Sequence, residues 1–179
     1  MDESHAVDSV GAEVSLDGLL GLYHDQVGEV YAFVLRRCGA DVGLAEDITQ
    51  DTFLAAARQF RTTGAVPPRA WLYQTARNRL IDHWRREARK ERKLRLVGSR
   101  DRDLSIGDPA EAVVSGDQVL ESLARLPAAQ QAALVLRYLD GCSTREVAEM
   151  LGRSLKATES VLARARRNLE ANYQEQGCD

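Results

Sequence analysis

Apolar residues recur at intervals of three and four along almost the whole chain, and period-two alternation is missing, so the pattern predicts an all-α protein. Leu16, Leu19, Tyr23, Val27, Val30 and Val34 mark a long first helix over about 16–38, closed by Gly39. Asp41 is placed to cap a second helix carrying Leu44, Ala45, Ile48, Phe53, Ala56 and Phe60. Gly64, Pro67 and Pro68 interrupt the pattern, and a third helix starts near Arg69. It carries Trp71, Leu72, Ala76, Leu80, Ile81 and Trp84, then runs into a basic tail ending near Leu96. Residues 97–116, VGSRDRDLSIGDPAEAVVSG, lose the periodicity and predict a flexible linker too long for a tight turn. Helices resume with Val119, Leu120 and Leu123. Pro127 is expected at the first position of the next helix, which stops at Gly141.

The run 143–162, STREVAEMLGRSLKATESVL, has the punctuation of a helix-turn-helix. Ser143 and Glu146 form an S-x-x-E capping box, which satisfies amide donors left open at a helix start. Val147, Ala148 and Leu151 share one face, and Gly152 stands where a left-handed residue ends that helix. Ser154 is positioned to cap the next helix, in which Thr158, Val161, Leu162 and Ala165 recur at helical spacing. Small Ala148 suits the close crossing of two helices joined by a short turn. A helical hairpin within an ordinary core is the competing interpretation.

The pattern therefore predicts two small helical domains joined by a flexible linker, the C-terminal one containing the helix-turn-helix. The expected boundaries are an acidic, disordered extension over 1–15, a domain over 16–96, the linker over 97–116, a second domain over 117–173 and a tail over 174–179. With 179 residues, one or two small cores are possible. No apolar run approaches the ~20 residues that span a bilayer, and no basic leader precedes an apolar stretch. Three widely spaced cysteines predict free thiols in a reducing cytoplasm, with Cys38 and Cys142 as buried structural groups. The scattered His5, His24 and His83 offer no metal-ligand cluster.

A net charge of −3 suits nucleic acid poorly until its distribution is considered. Residues 1–35 hold seven acidic side chains and no Lys or Arg, whereas residues 69–102 hold twelve basic against four acidic. Residues 103–124 are again acidic, and Arg145, Arg153, Lys156, Arg164, Arg166 and Arg167 form a second basic cluster. Two basic regions around an acidic connector predict two nucleic-acid contact surfaces. Either cluster alone also fits a solvated face.

Four segments in this order resemble the extracytoplasmic-function (ECF) group of bacterial sigma factors, in the sigma-70 family. They are LAEDITQDTFLAAAR, PRAWLYQTARNRLIDHWRR, LPAAQQAALVLRYLDGCSTREVAEMLGRS and LARARRNL, and the resemblance covers about 19–169. It implies a promoter-specificity factor for RNA polymerase without catalytic residues, cofactor or metal.

In the first segment Glu46, Asp47, Gln50 and Asp51 make an acidic stripe beside Phe53 and Leu54. The resemblance implies that Asp47, Gln50, Asp51 and Phe53 bind core polymerase, at the clamp helices of its β′ subunit. The second segment interleaves aromatics with cations, a combination that holds single strands by stacking and phosphate contacts. Trp71, Leu72 and Trp84 are expected in the core. The resemblance assigns Arg77, Asn78, Arg79, Arg85 and Arg86 to the opened −10 element. Asp101, Asp103, Asp108 and Glu111 of the linker suit the basic RNA exit path, or simply a tether.

The last two segments match the −35 reader. Arg153, Ser154, Lys156 and Glu159 fall at or near the start of its recognition helix, with Arg164 and Arg167 either contacting phosphate or simply staying solvated. The chain departs from its relatives here: KATESVL stands where many members carry a run like GTVKSRL, so Glu159 and Val161 replace two cations. That loss would lower the salt slope of binding by about 1.8, while Glu159 gains the option of accepting from a cytosine amino group. Further implied partners are the β subunit, duplex and single-stranded promoter DNA, and an anti-sigma protein; no membrane insertion is expected. A ligand-sensing repressor or activator and a nucleic-acid enzyme are the competing classes. The first leaves the stripe and the aromatic–basic helix unexplained, and the second lacks an electrophilic companion for its carboxylates.

Overall fold

The computed structural model describes residues 6–96 and 118–176, and they fold into seven helices. These are α1 (Ala6–Leu35), α2 (Val42–Thr63), α3 (Arg69–Leu96), α4 (Gln118–Ala124), α5 (Ala128–Leu134), α6 (Thr144–Leu151) and α7 (Leu155–Gln176). A π-helical turn, Val135–Leu139, extends α5. The linker and residues 1–5 lie outside the described residues.

Local chemistry sets most of the boundaries. Asp41 Oδ1 accepts the Leu44 amide at 2.9 Å and opens α2, and Gly64, with φ 69°, closes it. The proline pair keeps the next segment extended until α3 begins at Arg69. Pro127 is one position earlier than expected: with ψ 142° it is the cap residue of α5, and Ala128 begins the helix. The first helix also departs from expectation. Residues 6–15, expected as a disordered extension, are helical. Once the packed part of α1 has nucleated, each added residue gains one hydrogen bond at little further cost.

α1, α2 and α3 pack on one another around Val30, Val34, Ala45, Ile48, Leu72 and Trp84. Trp84 is 1% exposed, and truncating a side chain of that size costs ~3–5 kcal/mol. α4, α5 and α6 each pack against α7, or against each other through the π-helical turn, around Leu123, Leu136, Val147, Leu151 and Val161. Buried Thr49, Thr52 and Thr158 return their hydroxyls to carbonyls four residues back, so none is left unpaired. The two helical modules also touch: α3 packs on α5 and α6, and their buried apolar residues form one contiguous cluster.

Candidate nucleic-acid and polymerase interface

The helix-turn-helix follows from its end groups. Ser143 Oγ accepts the Glu146 amide at 3.3 Å, and Glu146 Oε2 accepts the Ser143 amide at 2.7 Å. These bonds to Ser143 hold the Glu146 carboxyl below its ordinary pKa. Gly152, at φ 61°, ends α6, and Ser154 accepts the Ala157 amide to begin α7. Thr158, Val161, Leu162 and Ala165 are buried, which turns Ser154, Lys156, Glu159, Arg164 and Arg167 outward. Arg153 is half-buried in the turn before them. Of the expected base-reading residues, Ser154, Lys156 and Glu159 thus share the exposed start of one helix, and Arg153 does not join them on it.

On α2 the expected polymerase-binding residues also stay together. Glu46, Asp47, Gln50 and Asp51 are exposed, and Phe53 is half-buried against Tyr23, their rings edge to face with centroids 5.0 Å apart. Gln50 and Phe53 line a groove of about 620 Å³ between α1 and α2, walled opposite by Tyr23, Val27 and Tyr31. Sequence reading missed the α1 wall, although Tyr23, Val27 and Tyr31 recur at intervals of four.

The five expected strand-binding residues of α3 are divided among three surroundings. Asn78 and Arg86 are exposed, and Asn78 Oδ1 accepts from Gln74 at 3.1 Å. Arg79 turns to α2, where Nη1 donates to Asp51 Oδ2 at 2.9 Å. Arg77 and Arg85 face the C-terminal module. Arg77 Nε donates to Asp140 Oδ2 at 2.8 Å and Nη2 to Cys142 Sγ at 2.9 Å; Arg85 Nε donates to the Met150 carbonyl. Burial opposes the Arg77 charge, but the bond and charge of Asp140 outweigh it and raise its pKa. Burial also lowers the His83 pKa.

The aromatics of this helix are packing groups. Leu72 and Trp84 are buried as expected, Trp71 is half-buried, and Tyr73 meets Phe33 edge to face at 5.1 Å. Cys38 and Cys142 are buried free thiols, and burial pushes Cys38 up to about 12. Among the described residues, no cluster of His, Cys, Asp and Glu could hold a metal ion. None of the helices described is long and apolar enough to cross a membrane.

Sequence reasoning also missed Arg37 and Asp140. Arg37 donates through Nε and Nη2 to Asp140 Oδ1 at 3.1 and 3.0 Å, while its guanidinium carbon lies 3.6 Å from the Phe33 ring centroid. The partners are 103 residues apart, and no local signal links them.

Residues 22–90 match the family described as sigma-70 region 2, and residues 116–169 match sigma-70, region 4. The ECF RNA polymerase sigma factor SigL of Mycobacterium tuberculosis is 33% identical over 94% of this chain and 95% of its own length. SigM of Bacillus subtilis, another ECF sigma factor, is 32% identical over 85% and 93% respectively. The sigma factor RpoE of Bartonella quintana, solved with the anti-sigma factor NepR, aligns with a TM-score of 0.47 at 22% identity. That alignment covers 88% of this chain and 97% of RpoE.

Proposed function

This chain belongs to the ECF group of the sigma-70 family, a transcription initiation factor, and on that premise we propose that it recognises a promoter in two forms. The C-terminal module, over 117–173, takes the −35 element as duplex, and the N-terminal module, over 16–96, captures the −10 element as an opened strand. Core polymerase is held at the acidic stripe of α2. The factor itself contributes no catalytic step and works in the cytoplasm. An anti-sigma protein is part of the same proposal.

The observation that carries this reading is the exposed start of α7. Ser154, Lys156 and Glu159 project from it while the opposite face is buried against the rest of the module. A helix held in that way can enter a major groove with its N-terminal side chains at the base edges. Glu159 suits a cytosine amino group, and Lys156 suits guanine. On α3, exposed Asn78 offers an amide to the pairing edge of an extruded base, and exposed Arg86, about two turns further along the helix, offers a cation for phosphate. On α2, Asp47, Gln50 and Asp51 beside the apolar groove supply charge and an anchoring surface for a basic helical partner.

The test is retention of core polymerase at low salt, followed by transcription from a promoter library. Core is expected to bind, and one class of start sites is expected to appear only when the factor is present. Strong duplex binding by the chain alone, without retention of core, would replace this reading with that of a repressor or activator.

A further inference from the structure

We propose that Leu155, the first residue of α7, reads the C5-methyl group of a thymine in the −35 duplex. This inference deepens the duplex-reading role proposed above for that helix and rests on it.

The start of α7 exposes few side chains whose chemistry the fold has not already used. Ser154 Oγ accepts the Ala157 amide at 3.3 Å, and Ser160 Oγ donates to the Lys156 carbonyl at 3.0 Å, so both hydroxyls serve the helix itself. Arg153 is half-buried in the preceding turn. Lys156 and Glu159 are exposed, and among the described residues no hydrogen bond or ion pair engages the ammonium or the carboxylate. Leu155 stands beside them and is 43% exposed.

Three chemistries therefore meet at one helix end: an alkyl group, a cation and a carboxylate. Guanine shows the major groove two acceptors and cytosine shows it an amino donor, which match Lys156 and Glu159. The thymine methyl is the one apolar feature among the base edges. Pressing Leu155 on any other edge would strip water from a polar group and return no hydrogen bond.

The helix also sets where that thymine lies. Thr158, Val161, Leu162 and Ala165 fix the buried face of α7. Residues four apart share a row on a helix, so Leu155 stands one turn before Glu159 on the same side. Four residues rise about 6 Å, against about 3.4 Å per base step, so the two contacts fall within about two steps of each other. Each Cα–Cβ bond leans toward the helix N-terminus, which directs the Leu155 side chain beyond the first turn. A helix that enters the groove by that end leads with Leu155.

The test uses the full chain in complex with core polymerase, on a promoter selected from the library. Each thymine of its −35 duplex is replaced in turn by deoxyuridine, which removes the methyl group and leaves every hydrogen-bonding group in place. One replacement is expected to weaken binding about four-fold, the effect of exposing one buried carbon group. Leu155→Ala should weaken binding to the thymine duplex by a similar factor and lose all sensitivity to deoxyuridine. Alanine is a good helix former at an exposed position, and circular dichroism checks that the fold is kept. If no deoxyuridine weakens wild-type binding while guanine and cytosine changes still do, Leu155 is not a base reader and the duplex role stands. Methyl sensitivity that survives in Leu155→Ala belongs to another residue and overturns the proposal. If no −35 base pair affects binding, the duplex role itself fails and this inference falls with it.

Discussion

Asp51 of α2 and Arg79 of α3 form an ion pair at 2.9 Å, joining the stripe proposed to hold polymerase to the helix proposed to hold DNA. Asp51 is 58% exposed and Arg79 31%, so the pair contributes only about 0.2–1 kcal/mol. Its value lies in position: Arg79 orients the carboxylate and is itself withdrawn from DNA. Asp51→Arg is therefore expected to abolish retention of core polymerase while lowering Tm by less than ~4 °C. Affinity capture and a thermal melt on the same preparation check both halves, and undiminished capture would remove Asp51 from the interface.

Asn78 is exposed, and its side-chain oxygen accepts from Gln74, one turn earlier. Asn78→Ala should change stability by no more than ~0.5 kcal/mol. Promoter opening, followed by permanganate reactivity of thymines in the polymerase complex, is expected to fall sharply. Binding to the −35 duplex should be retained. A footprint of wild-type intensity would end the base-capture assignment.

On α7 the two kinds of contact can be separated by salt. Arg164→Ala is expected to lower the slope of log affinity against log salt by about 0.9, with sequence preference unchanged. Glu159→Gln should relax preference at one base pair by ~1–3 kcal/mol. Competition titrations with single-base variants of a selected promoter distinguish these outcomes, and a Glu159 variant with unaltered preference would show that the carboxylate does not face a base.

The capping box gives a pH-dependent signal. Glu146 has a lowered pKa, so its contribution is complete above the ordinary carboxylate value and is lost as pH falls through the lower folded value. The Tm difference between wild type and Glu146→Ala should be constant at neutral pH and shrink in acid below the ordinary range. Ser143→Ala removes the other half of the box and should cost ~0.5–2 kcal/mol at pH 7.

Gly39 combines φ 69° with backbone contact to Ala124. Gly39→Ala must therefore accept a left-handed alanine and push α4 away. The first effect alone costs ~1–2 kcal/mol, or roughly 2–8 °C in Tm. A melt within 1 °C of wild type, on the order of the smallest shift a surface substitution gives, would show that the turn relaxes freely.

The elements that sequence reading located are those whose causes lie within a few residues. Asp41 caps α2, Ser143 and Glu146 box α6, and Gly152 ends it, each through a bond to a near neighbour. The exposed start of α7 and the acidic stripe of α2 were legible for the same reason, because helical periodicity alone decides which side chains share a face. The extra turns at the start of α1 were not legible, since residues 6–15 lack the stripe that announces a helix and depend on the packed segment that follows.

Periodicity, capping groups and the order of four segments were enough to determine an all-α sigma factor with a helix-turn-helix near its end. What α3 does with its arginines was decided only by tertiary structure. Arg77, Arg79 and Arg85 look alike in the chain, yet they meet Asp140, Asp51 and the Met150 carbonyl, at separations of 63, 28 and 65 residues. A charged side chain takes whichever acceptor folding brings within reach, and local spacing carries no information about a partner that arrives from another helix.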